Sequence, residues 1–267
     1  MNPPRHIVIL ILVLAFTTVV HAQGPTNETT ESTTTSAKPQ GIDPDKWQFK
    51  LVPYLWIAGV NGRVGIGNLT AEVNAGLTDP DVDLNFGFMG TFEAKKNKFV
   101  IVTDLQYSNL GADPITPGPL FSSAQGDFKT FILDPEVGYR IVDNPEKDSF
   151  VDVLGGIRYW RIKTDLTFNA GLLPPVTATR SRNWVDGVAG IRGRVHLTPR
   201  LFLGGKADIG GGGSNFSYQL FGAAGFFVGK RYALFAGYRD LDVNYNKDGF
   251  LFDNALHGPV LGFGIRF

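Results

Sequence analysis

The sequence predicts an all-β protein, a transmembrane antiparallel up-and-down β-barrel of about ten strands, with twelve as the alternative count. Three observations predict it. The N-terminus reads as an export leader. The region after it alternates with period two and has no run of 18 consecutive apolar residues. Its connections alternate between short and long, the layout of a barrel with tight periplasmic turns and longer outer loops.

The leader comes first in the chain. Arg5 gives a positive start, Ile7 to Val20 an apolar stretch, and Val20-His21-Ala22 the small residues a signal peptidase reads. Residues 1–22 are therefore assigned as a signal peptide, with cleavage before Gln23. Residues 23–44 are rich in Thr, Ser and Pro and cannot bury enough surface to offset ordering entropy, so they read as a disordered tether. The barrel is placed at 45–267. Export and membrane strands together predict the bacterial outer membrane as the location, since only helices and closed barrels satisfy backbone groups in lipid.

Composition agrees with this reading. The chain has 33 Gly and 21 Phe, which suits strands and turns, and no Cys, which removes thiol catalysis and Cys-ligated zinc. Lys+Arg and Asp+Glu are 25 each, so no global field draws nucleic acid. Neither a cofactor nor a metal site is expected. The run 79–83 alternates acids as a calcium loop does, but it lacks the glycine and distal Glu of an EF-hand. Gly210 to Gly213 precedes no helix and reads as a strand bend, not a phosphate loop.

Strands are expected near 47–58, 84–95, 98–109, 126–141, 149–166, 182–196, 200–213, 216–228, 231–245 and 257–267. Residues 63–67 and 68–74 form a possible extra hairpin that extends the first loop, enters the lumen or adds two wall strands. Short turns are expected at 95–98, 144–148, 198–200 and 229–231, and long loops at 111–124, 169–180 and 246–254. Trp47, Tyr54, Trp56, Tyr107, Tyr139, Tyr159, Tyr232 and Tyr238 fall at strand ends and suit interfacial girdles.

Residues Trp47-Gln48-Phe49-Lys50-Leu51-Val52-Pro53-Tyr54-Leu55-Trp56, followed by Gly59 and Gly62, resemble the first strand of a group of bacterial outer-membrane β-barrel proteins. Phe88-Met89-Gly90, Phe92-Glu93-Ala94, Thr103-Asp104 and Gly237-Tyr238-Arg239 fit the same pattern. The resemblance covers 45–267. It implies the barrel architecture and brings no catalytic residues, because the group is mostly uncharacterised. The Thr-rich tether is not part of it.

Two sets of residues carry functional expectations. Leu261, Phe263, Ile265 and Phe267 put four apolar side chains on one face of a last strand. That strand resembles the signal read by the barrel-assembly machinery, which becomes an expected partner together with outer-membrane lipid. The lumen is expected to be lined by acids (Asp104, Asp134, Glu136, Asp152, Asp186, Asp208) and by bases (Arg140, Arg158, Arg192, Arg194, Lys206, Arg239) in equal number. Ionisable residues at membrane depth mark a polar pathway in one reading and pair across neighbouring strands to fill a narrow barrel in the other. Arg158, Arg192, Arg194, Asp134, Glu136 and Asp152 would line any pathway.

The leading functional expectation is a structural or passive small-solute permeation role without enzymatic activity. One alternative is a hydrolase at the barrel rim acting on lipid or peptide, with His257 near Asp240, Asp242 and Asp253. A second is a binding or adhesion module acting through the outer loops. His6 and His21 leave with the leader, and His196 falls at a periplasmic strand end. The oligomeric state is left open.

Overall fold

A computed structural model describes residues 45–75, 82–115, 120–144, 148–229 and 231–267. The expected signal peptide and tether lie outside these residues, and the side chains of 79–83 are not described. Twelve strands run in order: β1 (Gln48–Trp56), β2 (Gly59–Ile66), β3 (Leu69–Ala75), β4 (Val82–Lys96), β5 (Phe99–Ile115), β6 (Ala124–Asn144), β7 (Ser149–Phe168), β8 (Val176–His196), β9 (Leu201–Gly212), β10 (Phe216–Val228), β11 (Tyr232–Lys247) and β12 (Phe250–Arg266). Ten of them, β1 and β4 through β12, pair antiparallel in sequence and close where β1 pairs β12, Lys50 opposite Arg266.

β2 and β3 form the expected hairpin. β12 pairs β1 with its last residues and β2 with its first, Phe250 opposite Ile66. β1 and β2 are thus two segments of one wall line, interrupted at Ile57–Ala58. The interruption brings the Ile57 carbonyl to 2.0 Å from where a side chain on Gly258 would begin, so glycine is needed there. Val64, Ala71 and Val73 of this hairpin point into the barrel core.

Several strands run longer than expected: β5 continues to Ile115, β8 begins at Val176 and β12 begins at Phe250. Along the strands the apolar set changes face. On β7, Val151, Val153, Ile157 and Tyr159 face out, while Asp152 and Arg158 face in. From Trp160 on, the apolar set moves to the inner face: Trp160, Ile162, Leu166 and Phe168 are buried, and Arg161, Lys163 and Asp165 face out. β11 repeats this, with Leu234 and Tyr238 outward but Leu241, Val243 and Tyr245 inward. β12 does the same in reverse order, with Phe250, Phe252 and Leu256 inward and Leu261 outward.

Lengths explain the inversion. At ~3.3 Å per residue and a ~45° tilt, Ser149 to Tyr159 rises about 26 Å, close to the ~25 Å apolar band of an outer-membrane barrel. All 20 residues of β7 rise about 47 Å on the same basis. The wall therefore continues past the lipid, where its outer face meets water and its inner face becomes an apolar core, as in a soluble barrel.

Two expectations change. The long loop expected at 246–254 is a tight hairpin: Asp248 and Gly249 have φ of 53° and 68°, the two positive values of a type I′ turn, and β11 and β12 run on to either side. Tyr54 and Trp56 are not girdle residues. Trp56 is buried under the Arg239 guanidinium, and the Tyr54 hydroxyl donates to Asp104 inside the barrel. Trp47, Tyr139, Tyr232 and Tyr238 are exposed on the outer surface.

Candidate functional site

The barrel interior holds the chemistry, and it has three levels. At mid-depth Arg158 donates from Nη2 to Asp134 and to Asp208, both at 2.8 Å, and all three side chains are 0% exposed. Lys206 lies beside them, 2.6 Å from Glu136, 3.5 Å from Asp134 and 3.3 Å from Asp208. Asp134, Glu136 and Asp208 offer carboxylate oxygens within 4.8 Å of one another, a spacing that would suit a metal ion. Arg158 and Lys206 already supply positive charge there, so the cluster is a buried ion-pair network.

Beside it, Arg239 donates to Asp104 at 3.0 Å, to the Tyr54 hydroxyl at 2.8 Å and to Gln219. Gln219 in turn donates to Asp208 at 3.0 Å, joining the two groups. Toward the end that carries Gln48 and Arg266, Arg192 donates to Glu93 at 2.9 Å and to Asp152 at 3.0 Å, and Arg140 donates to Asp152 at 2.7 Å. At the rim Asp148 accepts from Arg194 and from Arg266, each at 2.6 Å. His196 places Nδ1 3.0 Å from the Asp148 carbonyl oxygen.

Many of these bonds cross the lumen. Arg239 on β11 reaches Asp104 on β5, and Arg192 on β8 reaches Glu93 on β4. Each pair is four strands apart around the ring. Pairing between neighbouring strands alone, as the filled-barrel reading assumed, would leave the centre of the lumen open. The cross-lumen bonds occupy it.

The upper level is apolar, against the expectation of a polar interior throughout. Trp160, Trp184 and Tyr245 stack with centroid separations of 5.6 and 4.1 Å, and Phe168, Phe250 and Leu166 pack around them. β9 and β10 are short, so β8 and β11 close over them: Arg182 donates to the Asp248 carbonyl at 3.0 Å and Lys247 to the Gly213 carbonyl at 2.6 Å. A side chain at Gly213 would meet Trp184 at 2.9 Å, which accounts for the end of the glycine run. Asp186 lies below this stack, accepting from the Ser214 amide at 2.6 Å and from Trp184 Nε1 at 3.3 Å.

A cavity of about 200 Å³ lies in the lower level. Phe150, Phe202, Phe227 and Phe235 line it. Lys50, Glu93, Arg192, Arg194 and Arg266 line it too, with Arg194 over the Phe150 ring and Arg266 over the Phe227 ring, and Arg239 and Asp104 stand at the inner end. Glycines make room for the rings, since a side chain at Gly225 or at Gly262 would begin 2.1 Å from the ring of Phe202 or of Phe235.

No protein-family model matches this chain, and no curated protein sequence matches it. Solved structures do match. The outer membrane protease OmpT from Escherichia coli superposes with a TM-score of 0.51 at 11% identity, covering 84% of this chain and 97% of that one. This chain has the fold of a bacterial outer-membrane β-barrel. At that identity the likeness extends to fold and not to activity. The translocator domain of autotransporter NalP from Neisseria meningitidis (TM-score 0.41, 15% identity, 87% and 90% covered) and Ail, the attachment invasion locus protein of Yersinia pestis (0.34, 14%, 83% and 98%), are more distant barrels.

All twelve charged side chains expected in the lumen lie on the inner face of the wall; eleven join the ion-pair networks above, and Asp186 instead accepts from the Ser214 amide and from Trp184. Lys50, Glu93, Asp148, Gln219 and Arg266 belong to the same networks but were not singled out. For Lys50 the signal was present, because it alternates with Phe49 and Leu51 on β1. His257 lies inside β12 and not at its end, faces outward, and stands directly across from Asp240 on β11. Leu261 and Phe267 are exposed on the outer face, and the Phe267 amide donates to the Phe49 carbonyl at 3.0 Å across the closing seam.

Proposed function

We propose that the protein is a structural barrel of the outer membrane that does not conduct solutes. The observation that supports this reading is the Arg158 guanidinium, fully buried at mid-depth between Asp134 and Asp208. Charges that line an aqueous pore keep their hydration. This trio is fully enclosed, and the apolar Trp160–Trp184–Tyr245 stack lies on its outer side. A solute crossing the barrel would have to break both layers. In this reading Leu261, Phe263, Ile265 and Phe267 serve insertion by the assembly machinery, through strand addition at an open edge.

The test is conductance of the refolded protein in planar bilayers. The filled barrel gives no discrete current steps. Regular steps altered by Arg192→Glu would replace this reading with passive permeation. A second reading, a hydrolase on the outer wall, has one observation in its favour, the Asp240–His257 cross-strand pair. Lipid- or peptide-cleaving activity lost in His257→Ala, with the barrel still folded, would establish it.

A further inference from the structure

The geometry points to a binding site for a small aromatic carboxylate in the cavity on the periplasmic side of the ion-pair network. This goes beyond the structural role, because a barrel closed on its outer side can still hold a ligand that enters from the inner side.

Charge gives the sign of the ligand. Lys50, Arg192, Arg194 and Arg266 face the cavity, against the carboxylates of Glu93 and, at the inner end, Asp104. The acids that partner the arginines, Asp152 and Asp148, do not line it; they stand behind the guanidiniums. Lys50 is the least committed. Its Nζ is 3.6 Å from Glu93 Oε2, beyond hydrogen-bond distance, while Arg192 already donates to that same oxygen at 2.9 Å. A ligand carboxylate beside Lys50 supplies an acceptor to its ammonium as a charge-assisted bond.

Shape and wall chemistry give the rest of the ligand. Phe202 and Phe227 lie 5.1 Å apart at a tilt, and Phe235 continues the wall. Arg194 stands 5.0 Å from the Phe150 centroid and Arg266 4.6 Å from that of Phe227, so cations and rings form one continuous surface. An aryl ring suits such a wall edge-on or offset. The volume, about 200 Å³, bounds the size. An apolar cavity of ~150 Å³ is known to take benzene, so this one takes a single ring with a short carboxylate arm and excludes a lipid chain.

The assay is calorimetric titration of phenylacetate into the full-length barrel in zwitterionic nanodiscs, which avoids detergent as a competitor. Phenylacetate binds saturably at one site. Its neutral amide and acetate each bind at least about tenfold more weakly, one lacking the charge and the other the ring. Lys50→Gln weakens phenylacetate about tenfold, and Lys50→Arg retains binding. Gly264 supplies an independent variant. It lines the cavity, and a side chain there would have its nearest neighbour at 3.7 Å, so Gly264→Leu fits the wall while filling the space. That variant keeps its heat-modifiable gel mobility and loses binding. Equal affinity for the amide, binding unchanged in Gly264→Leu, or no saturation with phenylacetate would each overturn the proposal. Conductance tests the closed barrel separately, since a silent bilayer is compatible with either result here.

Discussion

Arg158→Leu tests whether water reaches the middle of the barrel. In the native network Asp134, Glu136 and Asp208 face Arg158 and Lys206, three carboxylates against two cations, for a net charge of −1. The substitution leaves three carboxylates against Lys206 alone and moves the net charge to −2. Removing one member of a fully buried ion pair costs about 3–5 kcal/mol, because the remaining charge stays desolvated without its partner. That is about two to nearly four decades in the folding equilibrium. Arg158→Leu/Asp134→Leu returns the net charge to −1 and leaves Lys206 2.6 Å from Glu136 and 3.3 Å from Asp208. It should lie within about 2 kcal/mol of the parent, since apolar replacement of a whole buried pair is often near neutral. Urea unfolding in lipid vesicles, followed by tryptophan fluorescence, measures both. Trp160 on the same strand provides a reporter at the upper face of the network. A cost below about 1 kcal/mol for the single variant is the value of a hydrated pair. It would refute both the buried network and the closed barrel built on it.

Other perturbations test separate parts of the structure. Gly225→Ala drives a methyl group into the Phe202 ring and should destabilise the barrel by about 1–3 kcal/mol, with Phe202→Leu in the same chain recovering most of it in urea titrations. At the lower rim, burial pushes the Asp148 carboxyl up, but the Arg194 and Arg266 guanidiniums outweigh it and hold the carboxyl below its usual range. A depressed folded-state pKa stabilises above the unfolded value of about 3.9, and that stabilisation is lost as pH falls through the folded value. Heat-modifiable mobility should therefore become more acid-sensitive below about pH 4 in the parent than in Asp148→Asn, which has no such proton to take up. Deleting Phe267 removes its hydrogen bond to Phe49 and the last exposed aromatic. The fraction of protein reaching the heat-modifiable state in cells should fall, while refolding of the purified chain in detergent should change little.

Much of the lower barrel was legible because its physics is local. A strand between lipid and a polar lumen alternates strictly, so Leu261, Phe263 and Ile265 on β12, or Val151, Val153 and Ile157 on β7, reveal the lipid face directly. The inward acids and bases follow from the same count. The upper barrel is less legible because alternation gives a period and not an environment. On β7, expected at 149–166, the apolar set changes face between Tyr159 and Trp160 while the strand continues; on β12 the inverted part from Phe250 to Leu256 resembles a loop before a shorter strand. Two signals were available: the persistence of alternation after the inversion, and Asp248-Gly249, a dipeptide that favours a two-residue hairpin over a long loop.

By itself the sequence determined the all-β antiparallel architecture, the lipid-facing side chains of the lower wall and which charged side chains point inward, since each depends on the two-residue period of a strand. Only the tertiary structure decided which partners those charges meet across the lumen. Arg239 and Asp104 are 135 residues apart, and Arg192 and Glu93 are 99 apart. They meet because ring closure brings opposite walls within reach of a side chain. A strand's own pattern shows that a residue faces inward, while the curvature of the whole sheet determines what it meets there.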